Sequence, residues 1–402
     1  MRIGFGDKSL ISQLEAQAYL GYAAIAPVTA CVSLAVRELL DDYARLGGSA
    51  LGKWLPRRET LRAQLGRLIG ASPDNIAFAS SATSALGDLA FCLPWRPGDG
   101  VLVGNGEFPG NVSPWQNAAA LFALRVHFLP KLRTSDDDEF LSALEARLRA
   151  GRVRLVALSA VQFQTGIRTP LDSVVRLCRA YGAELALDAI QACGVVPLDV
   201  TALDVDYLAG GAHKWLMALE GTGFLYVKPS CTPRLVPRTA GWLSHEDGLR
   251  FLFEGPGVLR YDRPIKGGIQ FMEGTSANAA GYAALEASLA AILQLGVPAI
   301  FEHVSAYLDE LEAGLLARGL TSLRPREAAR RSGILSIEPP AGLAAADVVA
   351  ALHERGVCAT MPDGLVRFAP HFPNSRAEIP AVLSALDSTL AALPGRASTS
   401  TE

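Results

Sequence analysis

An aspartate and a lysine stand at the ends of apolar runs in the middle of the chain, where charged side chains are uncommon. Asp188 closes the run 184–188, and a carboxylate there needs a cation or hydrogen-bond donors, of which a pyridinium nitrogen is one. Lys214 follows another apolar run, where desolvation lowers the pKa of the amine and favours the neutral form that makes Schiff bases. The alternatives are a helix cap or metal ligand for Asp188 and a surface position for Lys214.

Two further segments carry polar residues that suit a ligand. Residues 78–85 end a strand in small residues and begin a helix near Thr83. Backbone N–H groups and the hydroxyls of Ser81 and Thr83 suit a phosphate there, although plain helix capping uses the same residues. Arg367 lies in a short apolar strand, where its guanidinium suits either a carboxylate ligand or a structural ion pair.

Short apolar runs alternate with amphipathic stretches over residues 50–230, a pattern typical of strands joined by helices. The candidate strands are residues 75–79, 101–104, 125–129, 155–159, 184–188, 207–209 and 223–227. Strands that read as continuous apolar runs predict an α/β fold with a mostly parallel seven-stranded sheet between helices. Ligands of such sheets collect at the carboxyl ends of the strands, where Asp188 and Lys214 lie.

The chain of 402 residues is long enough for two domains. We expect an N-terminal segment, residues 1–20, that packs on the small domain. A large domain with the sheet then spans residues 21–265, and a small α+β C-terminal domain spans residues 266–395. The Ser/Thr-rich tail, residues 396–402, is expected to be disordered.

The composition excludes several classes of function. Half of the residues are hydrophobic and the net charge is -3, so nothing electrostatic favours nucleic acid or an anionic membrane as a partner. The six cysteines lie far apart without a CxxC pair, which argues against a disulfide scaffold or zinc site and fits a reducing compartment. The uncharged stretch 16–36 follows Glu15 and is broken by Gly21 and Pro27. We therefore expect a buried strand, turn and helix there, and a cytoplasmic protein.

Taken together, these motifs resemble the class V branch of the fold-type I enzymes that depend on pyridoxal 5'-phosphate (PLP). That branch includes class V aminotransferases, cysteine desulfurases, isopenicillin N epimerase and C–S lyases. The most specific stretches are residues 188–191 (Asp-Ala-Ile-Gln), 213–216 (His-Lys-Trp-Leu) and 220–227, with weaker support from 107–115, 271–278 and 366–374. The resemblance covers nearly the whole chain.

The resemblance implies a role for each residue around the cofactor ring. Lys214 forms the Schiff base with PLP and then moves protons at Cα of the substrate. Asp188 pairs with the pyridine nitrogen, so that the ring stays protonated and accepts electrons. Gln191 meets the phenolic oxygen. Phe108 stacks on the ring, where many relatives have histidine.

The resemblance also implies the residues at the two ends of the site. The backbone of Ala82 and Thr83, the Thr83 hydroxyl and His213 contact the phosphate. Thr275 supplies a phosphate contact from the neighbouring subunit, which implies a homodimer with active sites shared between subunits. Arg367 binds the α-carboxylate of an amino-acid substrate.

Three departures from the family pattern bear on substrate and reaction. Gly211 replaces a serine found in relatives, which removes one phosphate hydroxyl. Tyr22 ends a stretch in which many relatives have asparagine, so we expect it at the substrate end of the site. Cys358 lies close before Arg367, at the expected start of a strand rather than on a loop. It is interpreted as a structural cysteine, which disfavours persulfide transfer.

A PLP platform supports several reactions at Cα, and the residues favour one of them. β-Elimination from a cysteine-type or S-conjugated amino acid needs only Lys214 as the base. Epimerisation needs a second acid or base on the opposite face, for which the sequence offers no candidate. Transamination is the nearest alternative, and a decarboxylating variant is conceivable. A PLP-fold protein without catalysis is disfavoured because Asp188, Lys214 and Arg367 are all present.

Overall fold

A seven-stranded sheet forms the centre of the computed structural model, which describes residues 3–276 and 278–393. The strand order is β2-β8-β7-β6-β5-β3-β4, and only β8 runs antiparallel to its neighbours. The strands are β2 (Ile76–Ala79), β3 (Gly100–Gly104), β4 (Arg125–Leu129), β5 (Val153–Ser159), β6 (Glu184–Asp188), β7 (Tyr207–Gly211) and β8 (Gly223–Val227). This confirms the expected α/β fold with a mostly parallel sheet.

Helices cover both faces of the sheet because successive strand residues point to opposite sides. Val101 and Val103 belong to an apolar cluster with α4 and α5, whereas Leu102 packs into the larger cluster on the other face. The helices are α1 (Ala30–Leu46), α2 (Leu51–Trp54), α3 (Arg57–Ile69), α4 (Ala82–Cys92), α5 (Ser113–Phe122), α6 (Asp138–Arg149), α7 (Leu171–Tyr181), α8 (Ala279–Leu295), α9 (Val297–Leu316), α10 (Ala345–Glu354) and α11 (Ile379–Ala392).

Two small sheets lie outside the central one. Strand β11 (Val366–Phe368) pairs antiparallel with β9 (Leu335–Ile337). Strand β1 (Ala18–Tyr19) pairs parallel with β10 (Val357–Cys358), so the N-terminal part of the chain is hydrogen-bonded to the C-terminal part. The division of the chain into domains near residue 265 stays a prediction. The expected disordered tail, residues 396–402, lies outside the described residues.

No single helix in the described part of the chain is long and apolar enough to cross a membrane, and α8 and α9, bent by 78°, pass that test only as a pair.

Candidate active site

The carboxyl ends of three parallel strands bring the candidate residues to one edge of the sheet. Ser159 at the end of β5 pairs with Asp188 at the end of β6, and Asp188 pairs with Ala209 of β7. Lys214 lies in the turn that follows β7. Register alone therefore places Asp188 and Lys214 at the same edge, as the sequence predicts.

Asp188 is a buried carboxyl group with little local compensation. Its Oδ1 atom accepts a hydrogen bond from the backbone N–H of Ile190 at 2.9 Å. Burial raises the pKa of Asp188, while that hydrogen bond and the positive charge of Lys214 lower it. A carboxylate in this position is stabilised by a cationic ring nitrogen.

Lys214 carries an amine that loses its proton easily. Burial lowers the pKa of Lys214 to about 8; the charge of Asp188 opposes this shift and the charge of Arg367 adds to it. Its Nζ atom lies 5.5 Å from the centre of the Phe108 ring. Near neutral pH a useful fraction of this amine is neutral, which is the form that attacks an aldehyde.

Phe108 supplies an aromatic surface beside that amine. The side chain is 46% exposed, which is unusual for a phenylalanine next to a buried strand end. Its edge meets the ring of Phe163 at a centroid distance of 5.3 Å and an angle of 83°. This contact holds Phe108 in place and leaves a face of its ring open for stacking.

The start of α4 combines capping with free N–H groups. Ser81 caps the helix, because its Oγ accepts from the N–H of Ser84 at 3.0 Å and the Ser84 Oγ accepts from the N–H of Ser81 at 2.9 Å. The N–H groups of Ala82 and Thr83 lie in the first turn of the helix. N–H groups at this position have no acceptor within the helix and are free to bind a ligand. The capping and phosphate interpretations are therefore compatible.

The Thr83 hydroxyl lies against the segment that carries Phe108. A Cβ atom built on Gly110 would stand 2.5 Å from Oγ1 of Thr83, so this close approach requires glycine. His213, the residue directly before Lys214, is partly buried. Burial and the charge of Lys214 lower the pKa of His213, which favours the neutral imidazole.

Gln191 is held by its own neighbours. Its Nε2 atom donates to the Ala23 carbonyl at 3.0 Å, and its Oε1 atom accepts from Nε1 of Trp215 at 2.8 Å. These two bonds fix which way the amide faces and leave its second N–H for another acceptor. Contact with a phenolic oxygen stays a prediction.

Arg367 is a buried guanidinium without an acidic partner. Nε donates to Oγ1 of Thr360 at 3.0 Å and Nη1 donates to the Phe163 carbonyl at 2.6 Å. Among residues 3–276 and 278–393 it forms no ion pair, so the structural ion-pair alternative is not observed. Burial lowers its pKa to about 10, yet it remains charged near neutral pH. A carboxylate ligand would compensate this charge.

For two predicted site residues, Tyr22 and Thr275, the structure gives no direct support. Tyr22 is fully buried between the rings of Tyr19 and His371, and its hydroxyl has no hydrogen-bond partner among the described residues. It offers no accessible atom to a substrate, so the expected contact lacks support. Thr275 is exposed on the segment before α8. Its expected role requires a second subunit and stays a prediction.

Glu107 is a site residue that the sequence did not single out. Its carboxyl group accepts from the N–H of Ser159 at 2.8 Å, from the Ser159 hydroxyl, and from Nδ2 of Asn111 at 3.1 Å. Burial raises the pKa of Glu107 to about 7, and the charge of Asp188 contributes to the shift. The available signal was an acidic residue directly before Phe108, just past an apolar strand.

The site combines a buried carboxyl group, a lysine with a lowered pKa, an exposed aromatic ring and an arginine without an ion pair among the described residues, a set that suits an anionic aromatic cofactor. The family model described as Aminotransferase class-V matches residues 18–365. The chain therefore belongs to the class V aminotransferase family, whose members are PLP-dependent enzymes. This confirms the family resemblance inferred from the sequence, the prediction of a PLP-dependent enzyme, and PLP as the cofactor.

Relatives within the family are named for different reactions. A Bacillus subtilis protein described as an uncharacterized aminotransferase, YcbU, is 26% identical, covering 92% of this chain and 94% of its own. The isopenicillin N epimerase of Streptomyces clavuligerus is 29% identical, covering 81% and 83%. The solved structure of an apo cysteine desulfurase from Thermococcus onnurineus has a TM-score of 0.83 at 22% identity, covering 98% and 99%. Membership therefore sets the fold and leaves the reaction open.

Proposed function

We propose that the protein is a PLP-dependent lyase that eliminates the β-substituent of a cysteine-type or S-conjugated amino acid. The observation that carries this proposal is one base, Lys214, whose Nζ lies 5.5 Å from the centre of the Phe108 ring and whose pKa is lowered by the nearby charge of Arg367. This set has a place for a flat cofactor, a place for an α-carboxylate and a single group to move the Cα proton.

The chain's own residues fit PLP. Asp188 would meet the pyridine nitrogen, Phe108 one face of the ring, and the first turn of α4 with Thr83 the phosphate. When bound, PLP supplies an electron sink that stabilises negative charge at Cα. The lowered pKa of Lys214 suits both attachment of the aldehyde and later proton transfer.

Arg367 orients the substrate in this proposal. Two of its nitrogens are held by Thr360 and by the Phe163 carbonyl, which fixes the plane of the guanidinium. A carboxylate bound to the remaining N–H groups would be held in one orientation. Lys214 would then remove the Cα proton; as a Cα=Cβ double bond forms, the bond from Cβ to the sulfur would break, and the protonated Lys214 could return its proton to the departing thiolate.

The position of Cys358 argues against persulfide transfer. Cys358 lies in β10, paired with Tyr19 of β1, and not on a free loop. Burial raises the pKa of Cys358, which keeps its sulfur as a poorly nucleophilic thiol. A desulfurase needs a mobile cysteine thiolate, so elimination without a protein-bound persulfide is the better fit.

Product analysis with the holoenzyme tests this proposal. Cystine and an S-alkyl cysteine are the probes, and pyruvate and ammonia are expected without any added keto acid. A strict requirement for a keto-acid acceptor would instead indicate an aminotransferase, and recovery of the D-amino acid alone an epimerase.

Covalent attachment of the cofactor provides a readout independent of turnover. Borohydride reduction of the holoenzyme should leave PLP on the peptide that contains Lys214, and Lys214→Ala should bind PLP without covalent attachment. Lys228→Ala, which alters a lysine paired with Asp204 on the opposite edge of the sheet, is the matched control. An adduct at another lysine in the unaltered protein would refute the assignment.

A further inference from the structure

The fold gathers arginines at the edge of the sheet opposite the candidate active site. Arg154 is the second residue of β5, Arg96 precedes β3, and Arg234 and Arg238 follow β8. These four side chains line a cavity of about 670 Å³, called here the arginine cavity, together with Pro94, Trp95, Asp99 and Val236. Because these arginines come from separate segments, the sequence contains no basic run that would predict the cluster.

The charges around the arginine cavity are not balanced. Arg154 and Arg234 both contact the same oxygen, Oε1 of Glu184, at 3.2 and 2.7 Å. The other oxygen of Glu184 accepts from the Tyr207 hydroxyl at 3.0 Å. Asp99 accepts from the backbone N–H of Arg96 at 2.9 Å. Four guanidinium groups thus face two carboxylates, in a chain whose net charge is -3.

Several hydrogen-bond donors at the cavity are not used within the chain. Nε of Arg154 is buried and has no partner among the described residues. Among the described residues, the Arg238 guanidinium donates only through Nη1, to the carbonyls of Phe91 and Leu93 at 2.7 and 2.9 Å. The buried Nε of Arg154 is costly without an acceptor, whereas Arg96, Arg234 and Arg238 are exposed and present their remaining donors to solvent, where an anion can bind them.

Trp95 gives the cavity a flat apolar wall. Its Nε1 atom donates to the Ala90 carbonyl at 2.6 Å, so the polar edge of the indole is already satisfied inside the protein. The rest of the partly buried ring lines the cavity beside Arg96. An indole face next to guanidinium groups suits a planar ring attached to an anion.

We propose that the arginine cavity binds a small molecule that carries a diphosphate group. A ligand with a planar ring attached to the diphosphate should bind most tightly. Guanidinium forks bind phosphate oxygens through paired hydrogen bonds, and several of them converge here. The volume lies within the usual range for small-molecule sites. This site is separate from the proposed cofactor site, because the strands that join the two edges of the sheet lie between them.

Titration calorimetry on the holoenzyme tests the proposal, since bound PLP already occupies the proposed phosphate site near Thr83. The probes are inorganic pyrophosphate and a nucleoside diphosphate, compared in buffers of equal ionic strength. The variant Arg96→Gln/Arg234→Gln should bind both probes at least tenfold more weakly. Arg318→Gln, which alters an arginine paired with Asp387 elsewhere, is the control for loss of an arginine outside the cavity and should bind normally.

Each result decides the question. Tighter binding of the nucleotide than of pyrophosphate, with loss of this preference in Trp95→Leu, would support the ring contact. An absence of binding to the holoenzyme, or an equal loss in Arg318→Gln, would overturn the proposal. Binding of a polyglutamate peptide without binding of either phosphate would also overturn it, in favour of an acidic protein partner. The visible absorbance of bound PLP should be unchanged in all variants.

Discussion

Glu107 and Asp188 are two partly or fully buried carboxyl groups whose surroundings raise the pKa of both. Lys214 lies near Asp188 and favours its charged form, whereas Glu107 has no cation among the causes that shift it. Glu107 therefore holds a proton more readily than a free glutamate does, while the charge of Lys214 favours the ionised form of Asp188 that a ring nitrogen needs. Glu107 is in this view a positioning residue that acts through Ser159, Asn111 and Asp188.

The variant Glu107→Gln tests this arrangement in the apoprotein. The folded-state pKa of Glu107, about 7, lies above the ordinary value of 4.5, so the folded chain binds this proton more tightly. Its contribution to stability is complete below 4.5 and is lost as pH rises through 7. Denaturant unfolding should therefore show a decline of about 3 kcal/mol over this range that Glu107→Gln lacks. Glu139→Gln, which alters an exposed residue, should keep the decline; an unchanged profile in Glu107→Gln would contradict the assignment.

Arg367 should control substrate affinity and leave cofactor affinity intact. Replacing it by Gln removes a charge-assisted paired contact, which is worth about 3 kcal/mol, or roughly a hundredfold in KM. Arg367→Lys should recover little, because an ammonium group lacks the planar fork. Steady-state kinetics with an amino-acid substrate, together with PLP titration by absorbance, would separate the two affinities. Weaker PLP binding in Arg367→Gln with an unchanged KM would refute the substrate role.

At the scale of elements, the sequence predicts the sheet well because each strand is a self-contained apolar run. All seven candidate strands lie within two residues of their observed bounds, and parallel topology alone then places Asp188 and Lys214 at one edge. The direction of a side chain is harder to predict from sequence, because it depends on contacts between distant segments. Two examples are the burial of Tyr22 against His371 and the hydrogen bonds that Glu107 accepts from Ser159.

The segment after β5 shows how a single glycine joins two parts of the chain. Gly166 has a φ of +76°, and a Cβ atom there would stand 2.6 Å from Cβ and 2.8 Å from the carbonyl oxygen of Ile334. Its own carbonyl accepts from the Ser332 hydroxyl at 2.6 Å. This close approach fixes the turn whose Phe163 carbonyl binds Arg367.

We expect Gly166→Ala to destabilise the protein by about 3 kcal/mol, combining left-handed backbone strain with overlap against a packed strand. Gly319 offers a matched control, because its φ is +75° and a Cβ atom on it would meet nothing within 4 Å. Gly319→Ala should cost only about 1 kcal/mol, the backbone part alone. Urea unfolding measures both variants, and equal losses would show that contact with Ile334 is unimportant.

At the scale of the whole molecule, one cavity of the single chain is lined by exposed apolar side chains together with charged ones such as Arg57, Glu246 and Arg250. This cavity of about 1110 Å³ is lined by Leu51, Leu55, Leu252 and Phe253, with Phe253 72% exposed. Single soluble chains seldom expose such a surface, and a second copy of the chain is the partner that the family resemblance implies. Ser276 lines the same cavity, so Thr275 lies close to the surface that a second copy would cover.

Mixed dimers can decide whether Thr275 serves the partner's active site. Thr275→Val should weaken PLP affinity about tenfold, since one hydrogen bond to a charged phosphate is lost. In a hybrid of Lys214→Ala and Thr275→Val subunits, a site shared between subunits combines the intact Lys214 of one chain with the intact Thr275 of the other. One fully functional site per dimer should therefore appear, with PLP bound covalently at ordinary affinity.

If Thr275 acted within its own chain, every lysine-containing site would also carry the valine, and no site that is both covalent and of high affinity would form. Mixing, followed by PLP titration and borohydride trapping, thus distinguishes a shared site from a self-contained one without relying on turnover.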